Sequence, residues 1–265
     1  MNKLTRVHSE LKDFLDRKVE EYNNPSFIEA DPVSVPHAFS QKQDIEIAGL
    51  FAAIFAWGNR TTIIQKSTLL MQLMENSPYQ FIKDHKEKDL RRFEGFCHRT
   101  FNTTDVLYFI SFLRFHYERS DTLETAFVRP VKNAGGEYER VELYLDHFYS
   151  YFFSMEHVPA RTRKHIAAPA KNSACKRINM YLRWMVRQDK KGVDFGIWKS
   201  ILPAELICPL DLHVARVAKR FHLVSRPNSD WQSAVDLTRN LRRFDPVDPV
   251  KYDFALFALG VIEKF

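Results

Sequence analysis

The sequence predicts an all-α protein. Apolar residues recur at spacings of three and four over most of the chain, and no alternating strand pattern runs longer than a few residues. The β-branched stretch 193–214 is too broken by Pro203 and Pro209 to form a central strand.

Taken in order, Leu4, Val7, Leu11, Phe14, Leu15 and Val19 trace one stripe, so the spacing predicts an amphipathic helix over 4–20. Pro25, Pro32 and Pro36 mark a loop after it. Residues Asp44–Trp57 are apolar on nearly every side beyond Glu46, the pattern of a helix in the middle of a core. A helix over Thr62–Met74 stops at Asn76-Ser77-Pro78, and further helical patterns cover 79–84, 104–118 and 141–154. Gly135-Gly136 marks a surface turn.

With 265 residues the chain suffices for one large domain or two small lobes, and it can bury a full core without disulfides or metals. Hydrophobic residues at 45% and charged residues at 27% exclude disorder, collagen and coiled-coil readings. Only 8 glycines occur, against about 18 at usual levels, which argues against a glycine-rich phosphate loop. Cys97, Cys175 and Cys208 lie far apart and offer no four-ligand set for zinc or iron–sulfur. They are expected to be small buried hydrophobes in a reducing cytosol. No signal peptide or membrane span is evident. The expectation is a soluble cytoplasmic protein with no cofactor, no metal and no membrane partner; its oligomeric state is left open.

The charge is unevenly placed. From Arg161 to Arg220 there are fourteen Lys/Arg against four acids, a local balance of +10 in a chain of net charge +6. A basic segment in an otherwise slightly acidic chain suits a polyanion. A solvated helix face, an acidic small substrate or a membrane surface fits the same arithmetic.

Two segments carry the candidate chemistry. In Ser173–Arg187, Ser173 is the expected N-cap, and Cys175, Ile178, Leu182 and Met185 trace one side of a helix. Lys176 then falls in the first turn, where the positive helix end and Arg177 disfavour its protonation. An amine nucleophile needs that, although a lone lysine there is usually solvent-facing. In Pro209–Arg220, Asp211 is placed to cap a helix beginning at Leu212. Leu212, Ala215, Val217 and Ala218 are expected to face inward, with Arg216, Lys219 and Arg220 outward. A carboxylate so anchored stays ionised and can face a developing cation, although capping alone also explains it. His213 reads as a core or supporting histidine.

Together these segments resemble the helix-hairpin-helix DNA glycosylase superfamily of the endonuclease III and 8-oxoguanine glycosylase type. Leu210-Asp211-Leu212-His213-Val214-Ala215-Arg216-Val217 is similar to the superfamily's V-D-T-H-(I/V)-x-R-V stretch. Lys176, Asn179 and Leu182 reproduce its K-x-x-N-x-x-L helix. Phe51–Trp57 followed by Gly58-Asn59-Arg60 looks like its apolar helix and polar turn, and Lys251–Gly260 resembles its last helix, ending in Gly260. The likeness spans about 40–260 in the same order. It is greatest to a bacterial family of conserved hypothetical proteins that shares K-R-x-N-x-x-L-R-W-M-V-R and P-L-D-x-H-V.

The resemblance implies a two-lobed helical bundle. A central barrel lobe would take 40–187, and a second lobe of 1–39 plus 188–265 would carry the aspartate. It implies a base-excision repair glycosylase with AP-lyase activity on damaged duplex DNA, oxidised purines among the lesions. Lys176 is the implied nucleophile and Asp211 its electrostatic partner. Asn59, Trp57, Trp198 and His213 would form the base pocket or wedge, with 192–198 lining it. Lys171, Asn172, Arg177, Arg216 and Lys219 would hold the nucleic acid. The superfamily's L-P-G-V-G-x-K hairpin is replaced by the glycine-free Ala168–Lys176, and thirty-five residues separate Lys176 from Asp211. These departures leave a catalytically silent DNA- or RNA-binding scaffold as the alternative. A metabolic enzyme that binds an anionic ligand is a third reading.

Overall fold

The computed structural model describes residues 3–128 and 137–265, so the expected Gly135-Gly136 turn lies outside the described residues. In chain order the α-helices are α1 (Lys3–Tyr22), α2 (Ser26–Glu29), α3 (Ser34–His37), α4 (Lys42–Phe55), α5 (Arg60–Leu73) and α6 (Pro78–Asp84). They continue as α7 (Thr103–Tyr117), α8 (Glu137–Phe152), α9 (Lys176–Val186), α10 (Leu212–Arg220), α11 (Trp231–Arg242) and α12 (Tyr252–Val261). Strands β1 (Cys97–His98) and β2 (Phe101–Asn102) pair antiparallel around a tight turn. The protein is mostly helical, as the periodicity requires. The small ladder was not foreseen, because two residues per strand are too few to alternate visibly. Among the described residues no helix is long and apolar enough to cross a membrane.

The chain divides into two compact units, one of Met1–Phe27, Ala134–Val141 and Pro169–Phe265, the other of Ile28–Asn133 and Glu142–Ala168. One border thus falls before the lysine helix, at residue 169, where the sequence reading drew it after 187. The grouping also splits the basic segment: Arg161, Arg163 and Lys164 belong to one unit and its remaining cations to the other.

The unit of Ile28–Asn133 and Glu142–Ala168 is built on phenylalanine. On α4, Ile47–Phe55 is buried throughout. Phe51 and Phe55 pack against Phe109, Phe96 and Phe101, while Phe112 and Phe148 close on Phe152. Fully burying each ring contributes roughly 1.5–3 kcal/mol. The exception on α4 explains itself. Glu46 is fully buried and accepts from Tyr117 Oη, Thr122 Oγ1 and Leu123 N at 2.5–2.9 Å, so its charge ties the chain after α7 to the core. Asn59 caps α5 through Thr62 N at 3.2 Å, so that helix starts earlier than expected.

In the other unit α12 is the hub, packing against both α1 and α10. Gly260 lies inside it rather than ending it. An added Cβ would meet His213 Cβ and O at 3.0 Å, so glycine sets the close approach to α10. Beside this apolar contact runs a buried ionic network. Arg183, on α9, bonds Asp194 at 3.3 Å and also Asp253 of α12. Arg187 engages Asp194, Asp248 and Asp189 at 3.0, 2.9 and 2.7 Å. The guanidinium of Arg183 also lies 4.3 Å from the Phe254 ring centroid. Both arginines are at most 4% exposed. These two cations of the basic segment are therefore internal struts.

Replacing Arg183 with Leu would strand Asp253 and leave Asp194 with Arg187 alone, and urea unfolding is expected to show a loss of about 3–5 kcal/mol. Asp253 adds a pH signature. Burial pushes its carboxyl up to about 6 against the pull of Arg183. Between the ordinary 3.8 and about 6, the folded chain holds a proton that the unfolded chain releases. The stability from this group therefore falls as pH rises through that window. An Asp253→Asn variant is expected to flatten that part of the stability–pH curve.

Candidate active site

Lys176 opens α9, and the backbone reaches it without glycine. Asn172 and Cys175 take the left-handed conformation, at φ 54° and 51°. Asn adopts this readily; Cys does so at a strain of order 1 kcal/mol. The expected cap is corrected here: Cys175 is the N-cap residue, with no side-chain capping bond. Ser173 Oγ instead accepts from Cys175 N at 3.2 Å, inside the turn. Buried Asn179, one turn on, donates from Nδ2 to Ala174 O at 3.1 Å and ties the turn to the helix it feeds.

Asp211 caps α10 as expected, Oδ1 accepting from Val214 N at 2.7 Å. That bond fixes the carboxylate plane, and Oδ2 then lies 3.3 Å from Lys176 Nζ. The Asp211 side chain is 10% exposed and that of Lys176 36%, so the acid is nearly buried and the amine remains reachable from solvent. Because α9 turns once every 3.6 residues, Lys176 shares a face with Arg183 and Arg187, whose carboxylate partners fix the helix rotation.

The remaining expected site residues are placed less uniformly. His213 is half-buried on α10, and its Nδ1 is buried without a hydrogen-bond partner. Lys171 and Asn172 are exposed. Arg177 is half-buried, and desolvation lowers its pKa. Arg216 donates to Gly260 O at 2.6 Å, at the end of α12, and Lys219 to Pro227 O at 2.7 Å. Both cations already serve backbone carbonyls. Trp198 is 1% exposed and meets Tyr181 edge-on at 5.3 Å, so it offers no face to a base. Leu212, expected inward, is 78% exposed, because the first helical position after the cap projects outward. Cys97, expected buried, is exposed, whereas Cys175 and Cys208 are buried. Burial pushes the Cys208 thiol up, away from thiolate chemistry.

Trp57 and Asn59 belong to the unit of Ile28–Asn133 and Glu142–Ala168. Trp57 is 52% exposed, and the guanidinium of Arg99, at the β1–β2 turn, stands 4.3 Å over its ring. Sequence reasoning missed Arg99, because two-residue strands leave no pattern to place the turn. A separate cleft of about 370 Å3 is lined by Asp16, Asn23, Arg187, Asp189, Asp248 and Lys251 among others, and by neither Lys176 nor Asp211. Among the described residues no group of three or more His, Cys, Asp or Glu is placed to hold a metal ion.

These features define a mostly helical protein with a solvent-reachable lysine–aspartate pair at two helix N-termini. The profile of the DUF2400 family, described as a protein of unknown function, matches residues 31–262, and the chain belongs to that family. No curated protein and no solved structure matches it significantly.

The capping and charge roles of Asp211 separate by substitution. Asp211→Ala is expected to lower the unfolding free energy by about 1 kcal/mol through loss of the cap. Asn is an equally good cap, so Asp211→Asn is expected to stay near wild-type stability while losing the charge beside Lys176. Thermal and urea melts of the two variants check this.

Proposed function

We propose that this protein is a DNA glycosylase with associated lyase activity, Lys176 being the nucleophile and Asp211 its carboxylate partner. The observation that carries the reading is the 3.3 Å approach of Lys176 Nζ to Asp211 Oδ2 across thirty-five residues of sequence. The solvent-reachable amine supports it too, as does the likeness of both helix starts to the superfamily motifs.

In this reading a damaged nucleotide leaves the base stack and presents its sugar to the pair. The lysine, its proton passed to the Asp211 side, forms a bond from Nζ to C1′. The glycosidic C1′–N bond breaks, and the base departs with the electron pair and takes up a proton. Asp211 faces the positive charge that develops on the sugar. Ring opening gives a Schiff base at Nζ. Loss of a C2′ proton then expels the 3′ phosphate, and hydrolysis frees the lysine. Exposed Lys171 and Asn172 lie within the hairpin segment, where phosphate contacts would make binding salt-sensitive. Oxidised purines in duplex DNA are the first lesions to try.

Borohydride reduction in the presence of an oligonucleotide carrying 8-oxoguanine or an abasic site is expected to trap a covalent complex. Lys176→Gln is expected to abolish trapping while keeping binding. Asp211→Asn, which keeps the cap, is expected to slow trapping by roughly a hundredfold or more. Absence of an adduct with any lesion would overturn the lysine mechanism. Retained binding without trapping would favour a catalytically silent binder, a reading supported by the glycine-free hairpin.

A further inference from the structure

The cleft lined by Asn23 takes no part in the lysine chemistry. It lies within the unit that holds α1, α9 and α12. One wall is a face of α1, where Asp16, Val19, Glu20 and Asn23 recur at helical spacing. Asn23 continues that face past the end of the helix, its N–H bonding Val19 O at 2.8 Å. The residues after α9 and the segment leading into α12 supply the other walls. At about 370 Å3 the cleft has the size of a small-ligand site. Val19 is the only apolar side chain lining it. An occupant is therefore held by charge and hydrogen bonds, with one short hydrocarbon patch beneath it.

The hydrogen bonding of these walls is incomplete on the acceptor side. Asn23 is 2% exposed; its Nδ2 donates to Asp189 Oδ2 at 2.6 Å, and its Oδ1 is buried with no donor. Turning the amide over does not help, because Oδ1 would then face a carboxylate. Burial pushes the Asp189 carboxyl up, but the Asn23 bond and Arg187 outweigh it and hold the group below its ordinary value. An acceptor left unmet inside a protein has lost its hydration without return. One turn back on the same face, exposed Glu20 gives Oε2 to Lys191 Nζ at 2.7 Å, and its Oε1 takes no bond among the described residues.

The cations are in the opposite state. Arg187 is claimed by Asp189 and Asp248, Lys251 by Asp16 and Asp245, and Lys191 by Glu20. Five carboxylates line the cleft against four cations, and the fourth cation, Lys190, is exposed. The cleft thus lacks donors, not acceptors. A protonated amine brings three donors and no acceptor. We propose that this cleft binds a primary alkylammonium ligand, a short diamine or polyamine, with one ammonium group donating to Asn23 Oδ1 among the carboxylates and its methylenes over Val19. The chain as a whole carries +6, which repels amines in general, so uptake here is not a bulk charge effect. The site uses neither Lys176 nor Asp211 and stands apart from the glycosylase reading.

The test is the unfolding midpoint of the full-length protein by circular dichroism, at matched ionic strength, in about 10 mM 1,4-diaminobutane, tetramethylammonium or potassium chloride. The diamine is expected to raise the midpoint by about 3 °C, the response to a roughly tenfold excess over a millimolar dissociation constant. Tetramethylammonium, which has the charge but no N–H, and potassium are expected to leave it in place. Asn23→Leu keeps the bulk and removes the acceptor, and is expected to abolish the diamine shift measured from its own midpoint. Lys190→Gln takes a like charge from the wall and is expected to tighten diamine binding, read by calorimetry, about threefold. That readout stands whether or not the Asn23 variant folds. Lys176→Gln is expected to keep the shift, so a failure of the lysine chemistry is distinguishable from a failure of this site. No shift with the diamine would leave water as the only partner of Asn23 Oδ1 and overturn the proposal. So would an equal shift with tetramethylammonium or potassium, a full shift in a folded Asn23→Leu variant, or diamine binding unimproved by Lys190→Gln.

Discussion

The orientation of α9 rests on two guanidinium groups placed out of water. Desolvating an arginine is costly unless carboxylates answer it, and here Asp194 serves both Arg183 and Arg187, with Asp253, Asp248 and Asp189 completing the set. The opposing charges bind Arg187 so strongly that its pKa rises despite the desolvation. Because these contacts are directional, they fix the rotation of α9 more tightly than apolar packing does, and with it the direction of Lys176 two turns before Arg183. The Asp211 cap does the same for α10. A lysine on one helix and an aspartate on another are thereby held at 3.3 Å.

The carboxylate in that pair has two duties. Its Oδ1 completes the hydrogen bonding of a helix start, and its Oδ2 is left to face the amine. Capping alone would not require the second contact, and a surface ion pair alone would not require a nearly buried acid. The coincidence of both at one residue is what lends weight to a chemical role.

The helices were legible because their apolar positions repeat, and α4, α7, α9 and α10 lie close to where periodicity puts them. The Asp211 cap was legible for the same local reason. Other features were not. Arg183 and Arg187 look like ordinary surface cations in the sequence, because their partners lie as far away as Asp253, a separation that no local pattern encodes. Counting them toward a basic face overstated that face. Leu212 was assigned inward from its apolar character, although the position just after a cap points away from the helix interior. The turn before Lys176 has no glycine, yet Asn172 and Cys175 reach the left-handed region themselves, and the Asn179 bond holds the result.

The proposed chemistry requires that Lys176, and no other surface lysine, form the bond to sugar. Peptide mapping by mass spectrometry, after hydride reduction of the protein with an abasic strand, tests it most directly. A single modified peptide is expected, with the added mass on Lys176. Modification scattered over exposed lysines such as Lys171, or confined to the terminal amine, would contradict it.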